Sequence, residues 1–142
     1  MQYSTGNIIV TTIHIISAIL AVGGVAFFRF AVIPYAASLP EGEKDSFLAG
    51  VRKKYVPILH SAFALLFLTG IHHITRLIRS GLIIPGALIT KIVLALIIIF
   101  IGVALTTSRG FDGIKKNARG YMTINLILAA IVVFLGIWVT HR

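Results

Sequence analysis

The chain has no cysteine, which excludes disulfides, thiolate metal sites, iron–sulfur clusters and c-type haem attachment. Charge is scarce too. Charged residues are 12% of the chain against 58% hydrophobic, far from the balance of a soluble domain and typical of an integral membrane protein. The sequence shows no internal repeat, no low-complexity tract and no linker long enough to separate domains. Residues 1–7 form a short polar lead without a positive charge, and the apolar run behind them is too long for a signal-peptide core. The formal net charge of +9 does not imply a nucleic-acid partner, because the positive residues lie between apolar runs, where the positive-inside effect places them.

What is present is four apolar runs within 142 residues, each long enough to cross a bilayer core of about 30 Å. The pattern predicts an all-α integral membrane four-helix bundle, antiparallel and up-down, forming one transmembrane domain over residues 1–142. The spans are expected at about 8–34, 55–78, 85–107 and 121–140. Pro34 marks the first exit, 39–42 is turn chemistry, and 43–51 is a candidate surface helix. Pro57 is expected in the first turn of the second span, where a missing N–H costs little. Ser80-Gly81 and Pro85-Gly86 bound a tight hairpin, while Gly110 and Asp112-Gly113 mark turns before the last span. Tyr3, Tyr121 and Trp138 are suited to the membrane interface.

Sidedness follows from the basic residues. Lys44, Arg52, Lys53, Lys54, Arg109, Lys115, Lys116 and Arg119 follow the first and third spans, eight against the three of the other side, Arg76, Arg79 and Arg142. This puts both termini and the central hairpin outside, in what is expected to be a prokaryotic cytoplasmic membrane.

An ionisable residue inside a span is a site hypothesis by default. His14 lies about 9 Å into the first span from Ile8, at the outer side. His72 is about a turn before Arg76, and Lys91 about a turn and a half after Pro85, so three nitrogen-bearing side chains share one layer. Neutral imidazoles on facing helices are the usual axial ligands of b-type haem. The preferred iron ligands are His14 and His72, with His73 the rival; adjacent helical residues point about 100° apart, so one of the two faces His14. The Gly23-Gly24 pair removes side-chain bulk so that another helix or a flat cofactor can come close, and with Gly70 it is expected to leave room for the macrocycle. Arg29 either snorkels to the headgroups or meets a propionate.

Simpler roles stand beside these. His14 can make an interhelical hydrogen bond to a Ser or Thr, and His72 and His73 can meet water. His60, about 18 Å from His72 along the helix, cannot share one metal ion with it. A hydrogen bond, for instance to Asn125, a second haem and a proton relay are its candidate roles. Lys91 either snorkels or serves as haem ligand, proton donor or propionate partner.

His14 followed by Gly23-Gly24, then Phe27-Phe28-Arg29-Phe30 and Ile33-Pro34, resembles the first helix of small CopD-like membrane proteins. The resemblance extends to 52–57, to Leu68-Thr69-Gly70 and to Ile124-Asn125-Leu126, and so covers most of the chain. It is similar as well to the related HemJ-like protoporphyrinogen oxidase group, which has a His on helix one and a Lys on helix three, the places of His14 and Lys91. Ala21 stands where the CopD-like pattern has Trp, and Ile89-Thr90-Lys91 where the HemJ-like pattern has His-Ala-Lys. The resemblance implies haem binding or copper handling.

Three functions are therefore expected as alternatives. The first is a small b-type haem protein passing electrons within the membrane, as a homo-oligomer or as a subunit of a larger redox complex. The second is a protoporphyrinogen-oxidising enzyme in which His14 holds haem and Lys91 assists proton or hydride removal. The third is a copper-handling protein, disfavoured because soft Cu(I) prefers thiolate or thioether ligands and the chain offers only Met1 and Met122.

Overall fold

The computed structural model describes residues 4–107 and 109–141, the side chain of Thr140 excepted. Met1, Tyr3 and Arg142 lie outside the described residues. The elements in order are α1 (Thr5–Phe27), a π-helical turn (Phe28–Val32), α2 (Ile33–Ala37), α3 (Glu41–Arg79), α4 (Gly86–Thr106), α5 (Asp112–Lys116) and α6 (Ala118–Thr140). No strand occurs among the described residues. Four stretches are long and apolar enough to cross a membrane: Thr5–Ala37, Glu41–Arg79, Gly86–Thr106 and Ala118–Val139.

Two boundaries differ from the sequence expectation, each around a proline. Pro34 does not end the first span. Its ring would clash with the carbonyl of Phe30 four residues back and it donates no N–H. The backbone widens there, the Ile33 N–H reaching back five residues to the Phe28 carbonyl, and the helix then runs on through α2. The second correction concerns α3, which is one helix of 39 residues where a surface helix and a separate span from residue 55 were expected. Pro57 is inside it, not in its first turn. The carbonyl that loses its partner belongs to Lys53, in the polar part of the helix, where water or headgroups can satisfy it. At about 58 Å, α3 outreaches a bilayer core of about 30 Å, so residues 41–54 project beyond the apolar part.

Gly81, with φ of +69°, closes α3 in the left-handed conformation and its N–H returns to the Ile78 carbonyl at 3.1 Å. Within the spans the hydroxyls satisfy themselves. Those of Thr11, Thr12, Ser61, Thr75 and Thr90 each donate to the carbonyl one turn back, because lipid offers no other acceptor.

The helices pack as two pairs. α1 lies along α3 and α4 along α6, and the pairs meet through α1 on α6 with lighter contact of α3 on α4. The tight core is Ala21, Val25, Phe28 and Val32 of the first span against Leu59, Ala62 and Phe63 of α3, Ile101 and Leu105 of α4 and Met122 of α6. It sits toward the basic end of the bundle, the end bearing residues 41–54 and 109–119. The hairpin end, marked by residues 80–85, holds the polar cluster described next.

Candidate functional site

Each span carries a stripe of buried and half-buried residues at helical spacing, and all four stripes lead to one place. On the first span it runs Phe28, Val25, Ala21, Ser17, His14; on α3, Phe63, Leu66, Thr69, His73; on α4, Leu105, Gly102, Ile98, Lys91; on α6, Met122, Asn125, Ala129, Gly136. His14, His73, Lys91 and Gly136 are thus the hairpin-end terminus of the packed interior.

The rings of His14 and His73 meet edge to face, with centroids 5.4 Å apart. His72, the expected partner of His14, is exposed and instead touches His73, its centroid 6.0 Å away. Counting four residues on from Thr69 along the stripe reaches 73 and leaves 72 off it, a signal present in the sequence.

His14 is anchored through Nδ1, which lies 2.7 Å from the Thr69 hydroxyl. That hydroxyl is also 2.6 Å from the Leu65 carbonyl, a pure acceptor, so its single proton is committed there. Nδ1 must therefore carry the proton and donate. Nε2 is left as the nitrogen with the free lone pair. The interhelical bond to a Ser or Thr considered for His14 is thus present, and it sets the tautomer that a metal-binding imidazole needs.

Lys91 is half-buried and extends over Gly136 of α6, where a methyl group would stand 3.2 Å from Nζ. Its charge acts on both His14 and His73. All four acidic residues, Glu41, Glu43, Asp45 and Asp112, belong to the basic end, so no carboxylate of the chain's own spans neutralises this cluster.

The other expected site residues are scattered. The space over Gly24 is taken by Tyr55, whose hydroxyl would lie 2.6 Å from a methyl group at 24. Gly24 therefore serves helix packing and does not make room for a cofactor. Gly23 and Gly70 do face open space, with nothing within 4 Å of where a side chain would begin. Arg29 is about 22 Å along the helix from His14. It donates from Nε to the Thr123 hydroxyl at 3.2 Å, and its guanidinium lies 5.3 Å from the Phe30 ring centroid. It cannot serve the same site as His14.

His60 repeats the His14 arrangement at the basic end. Its Nε2 is 2.7 Å from the Thr106 hydroxyl, which is 2.8 Å from the Gly102 carbonyl, so the imidazole donates here as well. Its partner is Thr106, not the Asn125 considered from the sequence. The Oδ1 of Asn125 and the hydroxyl of Tyr55 are both buried without a hydrogen-bond partner. Tyr55→Phe is therefore expected to leave thermal stability unchanged or raise it by about 1 kcal/mol, since a buried unsatisfied hydroxyl carries a penalty of that order. A lower unfolding midpoint would mean that the hydroxyl has a partner.

No group of three or more His, Asp or Glu side chains able to hold a metal ion occurs among the described residues. The cluster is two imidazoles and an ammonium, and a group bound there must bring its own remaining ligands, as a porphyrin does. The free Nε2 of His14 suits an axial ligand, and Gly70, three residues before His73 on α3, has open space beside it. A bis-histidine sandwich does not fit, because His14 and His73 touch edge to face with no plane of space between them. Met122 is buried in the basic-end core, so among the described residues no thioether joins the imidazole pair. No family model matches the sequence, and no curated protein or solved structure matches it either.

Proposed function

We propose that this chain is a small integral-membrane haem b protein in which Nε2 of His14 holds the iron near the hairpin face of the bundle. What carries this reading is the Thr69 hydroxyl: by accepting the Nδ1 proton of His14 while donating to Leu65, it leaves Nε2 as the nitrogen of that ring free to bind. Lys91, deprived of any carboxylate partner in the spans, supplies the positive charge that haem propionates require. The likeness of the first span to CopD-like proteins supports the same assignment. Bound haem supplies one-electron chemistry, and the role proposed is electron transfer, alone or within a larger membrane redox complex. His73 is the neighbouring base, and it replaces His72 in the assignment.

A second reading is favoured by the position of Lys91 between two imidazoles and α6. There the neutral Nζ would take up the proton that a protoporphyrinogen-type substrate releases, the paired electrons passing to a separate electron acceptor. Rescue of a strain lacking protoporphyrinogen oxidase, lost in Lys91→Met, would select this reading over electron transfer.

The test of haem binding is an optical spectrum of the detergent-purified protein produced with ample haem. A Soret band with a pyridine haemochrome of b type is expected. Apoprotein that stays colourless after haemin is added, or that retains copper through dialysis in place of haem, would overturn the proposal. We further propose that the hairpin end faces outward with both termini, in a prokaryotic cytoplasmic membrane, because eight basic residues lie at the other end. Reporter fusions at the C-terminus should then be active only in a periplasmic format; cytoplasmic activity would reverse the assignment.

A further inference from the structure

Away from the imidazole cluster, Arg29 is the one formal charge in the apolar run of the first span, and it is half-buried. Its Nε donates to the Thr123 hydroxyl of α6 at 3.2 Å, and that hydroxyl gives its own proton to the Arg119 carbonyl at 3.0 Å. The guanidinium is thus tied to a second helix through its Nε–H alone. The edge carrying the two Nη groups has no hydrogen-bond partner among the described residues. The Phe30 ring, its centroid 5.3 Å away, backs the guanidinium and further limits its movement. A planar fork held at its Nε side is preorganised for two parallel bonds to one phosphate.

Among the described residues no carboxylate pairs with Arg29. Its depth says what can. At about 1.5 Å per residue Arg29 is about 31 Å from Ile8, at the far edge of a bilayer core of about 30 Å, where the lipid headgroups begin. Thr123, in the second turn of α6, puts the contact at the same edge of the last span. Arg119 is exposed one turn nearer the basic end and adds a second positive charge at headgroup level. A zwitterionic lipid offers a phosphate too, but it brings an ammonium that this second charge opposes. Propionates of a haem on His14 are out of reach, about 22 Å away along the helix. We infer that the Nη edge of Arg29 binds the phosphate of an anionic phospholipid at the seam between the first span and α6, with the Thr123 hydroxyl setting its direction.

The proposal is independent of haem and is tested on the full chain. Protein reconstituted in equimolar phosphatidylglycerol and phosphatidylcholine is released into the gas phase, and its retained lipids are counted by native mass spectrometry. Phosphatidylglycerol should be retained about five-fold over phosphatidylcholine, the preference that one cation near an anionic headgroup confers. Arg29→Gln should bring that ratio close to one. Arg29→Lys, which keeps the charge and loses the fork, and Thr123→Val, which keeps the fork and loses its anchor, should each lower it part of the way. Lys116→Gln, a charge change elsewhere at the same end, should leave it unchanged. Equal retention of the two lipids by the native chain would overturn the site. So would a native ratio in Arg29→Lys, or a loss in Lys116→Gln as large as in Arg29→Gln, since either reduces it to diffuse surface charge. Inorganic phosphate titrated calorimetrically into delipidated protein should give only heat of dilution; saturable binding lost in Arg29→Gln would assign the fork to a free anion and overturn the lipid. Thermal unfolding of the variants, expected within a few degrees of the native chain, separates lost binding from lost fold.

Discussion

Replacing His14 with alanine is expected to abolish the Soret band of the purified protein, while His72→Ala leaves it in place. The two residues are the same type at a similar depth, so the difference isolates what the packing does. His14 is half-buried on the stripe and its proton is fixed at Nδ1 by Thr69, which prepares Nε2 as a ligand. His72 is exposed beside His73 and is off the stripe. Thr69→Val should give an intermediate result, with haem affinity lower by about 10- to 100-fold, because it removes the acceptor that orients the ring while sparing the ligand. His73→Ala should shift the spectrum without removing it. A Soret band retained in His14→Ala, or lost in His72→Ala, would sink the assignment of His14.

The largest effect on stability is expected at a residue with no chemistry, Gly102. The ring of Phe63 from α3 occupies the space where a side chain at 102 would begin, so the close approach of α3 and α4 depends on a bare backbone there. Gly102→Val must displace either the ring or the helix, at a cost of about 1–3 kcal/mol for overpacking and more if neither yields. Phe63→Leu in the same chain should recover much of that loss by vacating the space. Gly23→Ala is the control. It adds a methyl group to open space and should be neutral or stabilising by up to about 1 kcal/mol through helix propensity. Thermal unfolding of the three variants, followed by circular dichroism in detergent, gives the order. A native-like midpoint for Gly102→Val would mean that the helices are not packed as described. The same strain would reach the basic-end imidazole, because Thr106, partner of His60, donates to the carbonyl of residue 102.

The contrast between Gly102 and the Gly23-Gly24 pair shows where sequence reasoning ran out. A glycine in a membrane helix signals that something comes close, yet the pattern does not say what. At 24 the neighbour is the Tyr55 ring, at 102 the Phe63 ring, and at 136 the Lys91 ammonium. All three partners lie on another span. Pro34 and Pro57 were likewise visible, but their effect depended on whether the chain could widen or lean on the polar end of the helix. Each was expected near a helix boundary, and each lies inside a continuous helical run.

Composition and the length of the apolar runs determined by themselves that the chain is all helical with four stretches able to cross a membrane, because a bilayer leaves few ways to satisfy a backbone. They also determined that the basic residues cluster between the first and second and between the third and fourth spans. Only the tertiary structure decided which face of each helix turns inward, and therefore that His14 meets Thr69 and His73, that Arg29 stands at the far end, and that Lys91 lies over α6. The physical reason is that hydrophobicity varies little around a membrane helix, so rotation about its axis is set by the shape of the neighbours, which local sequence does not contain.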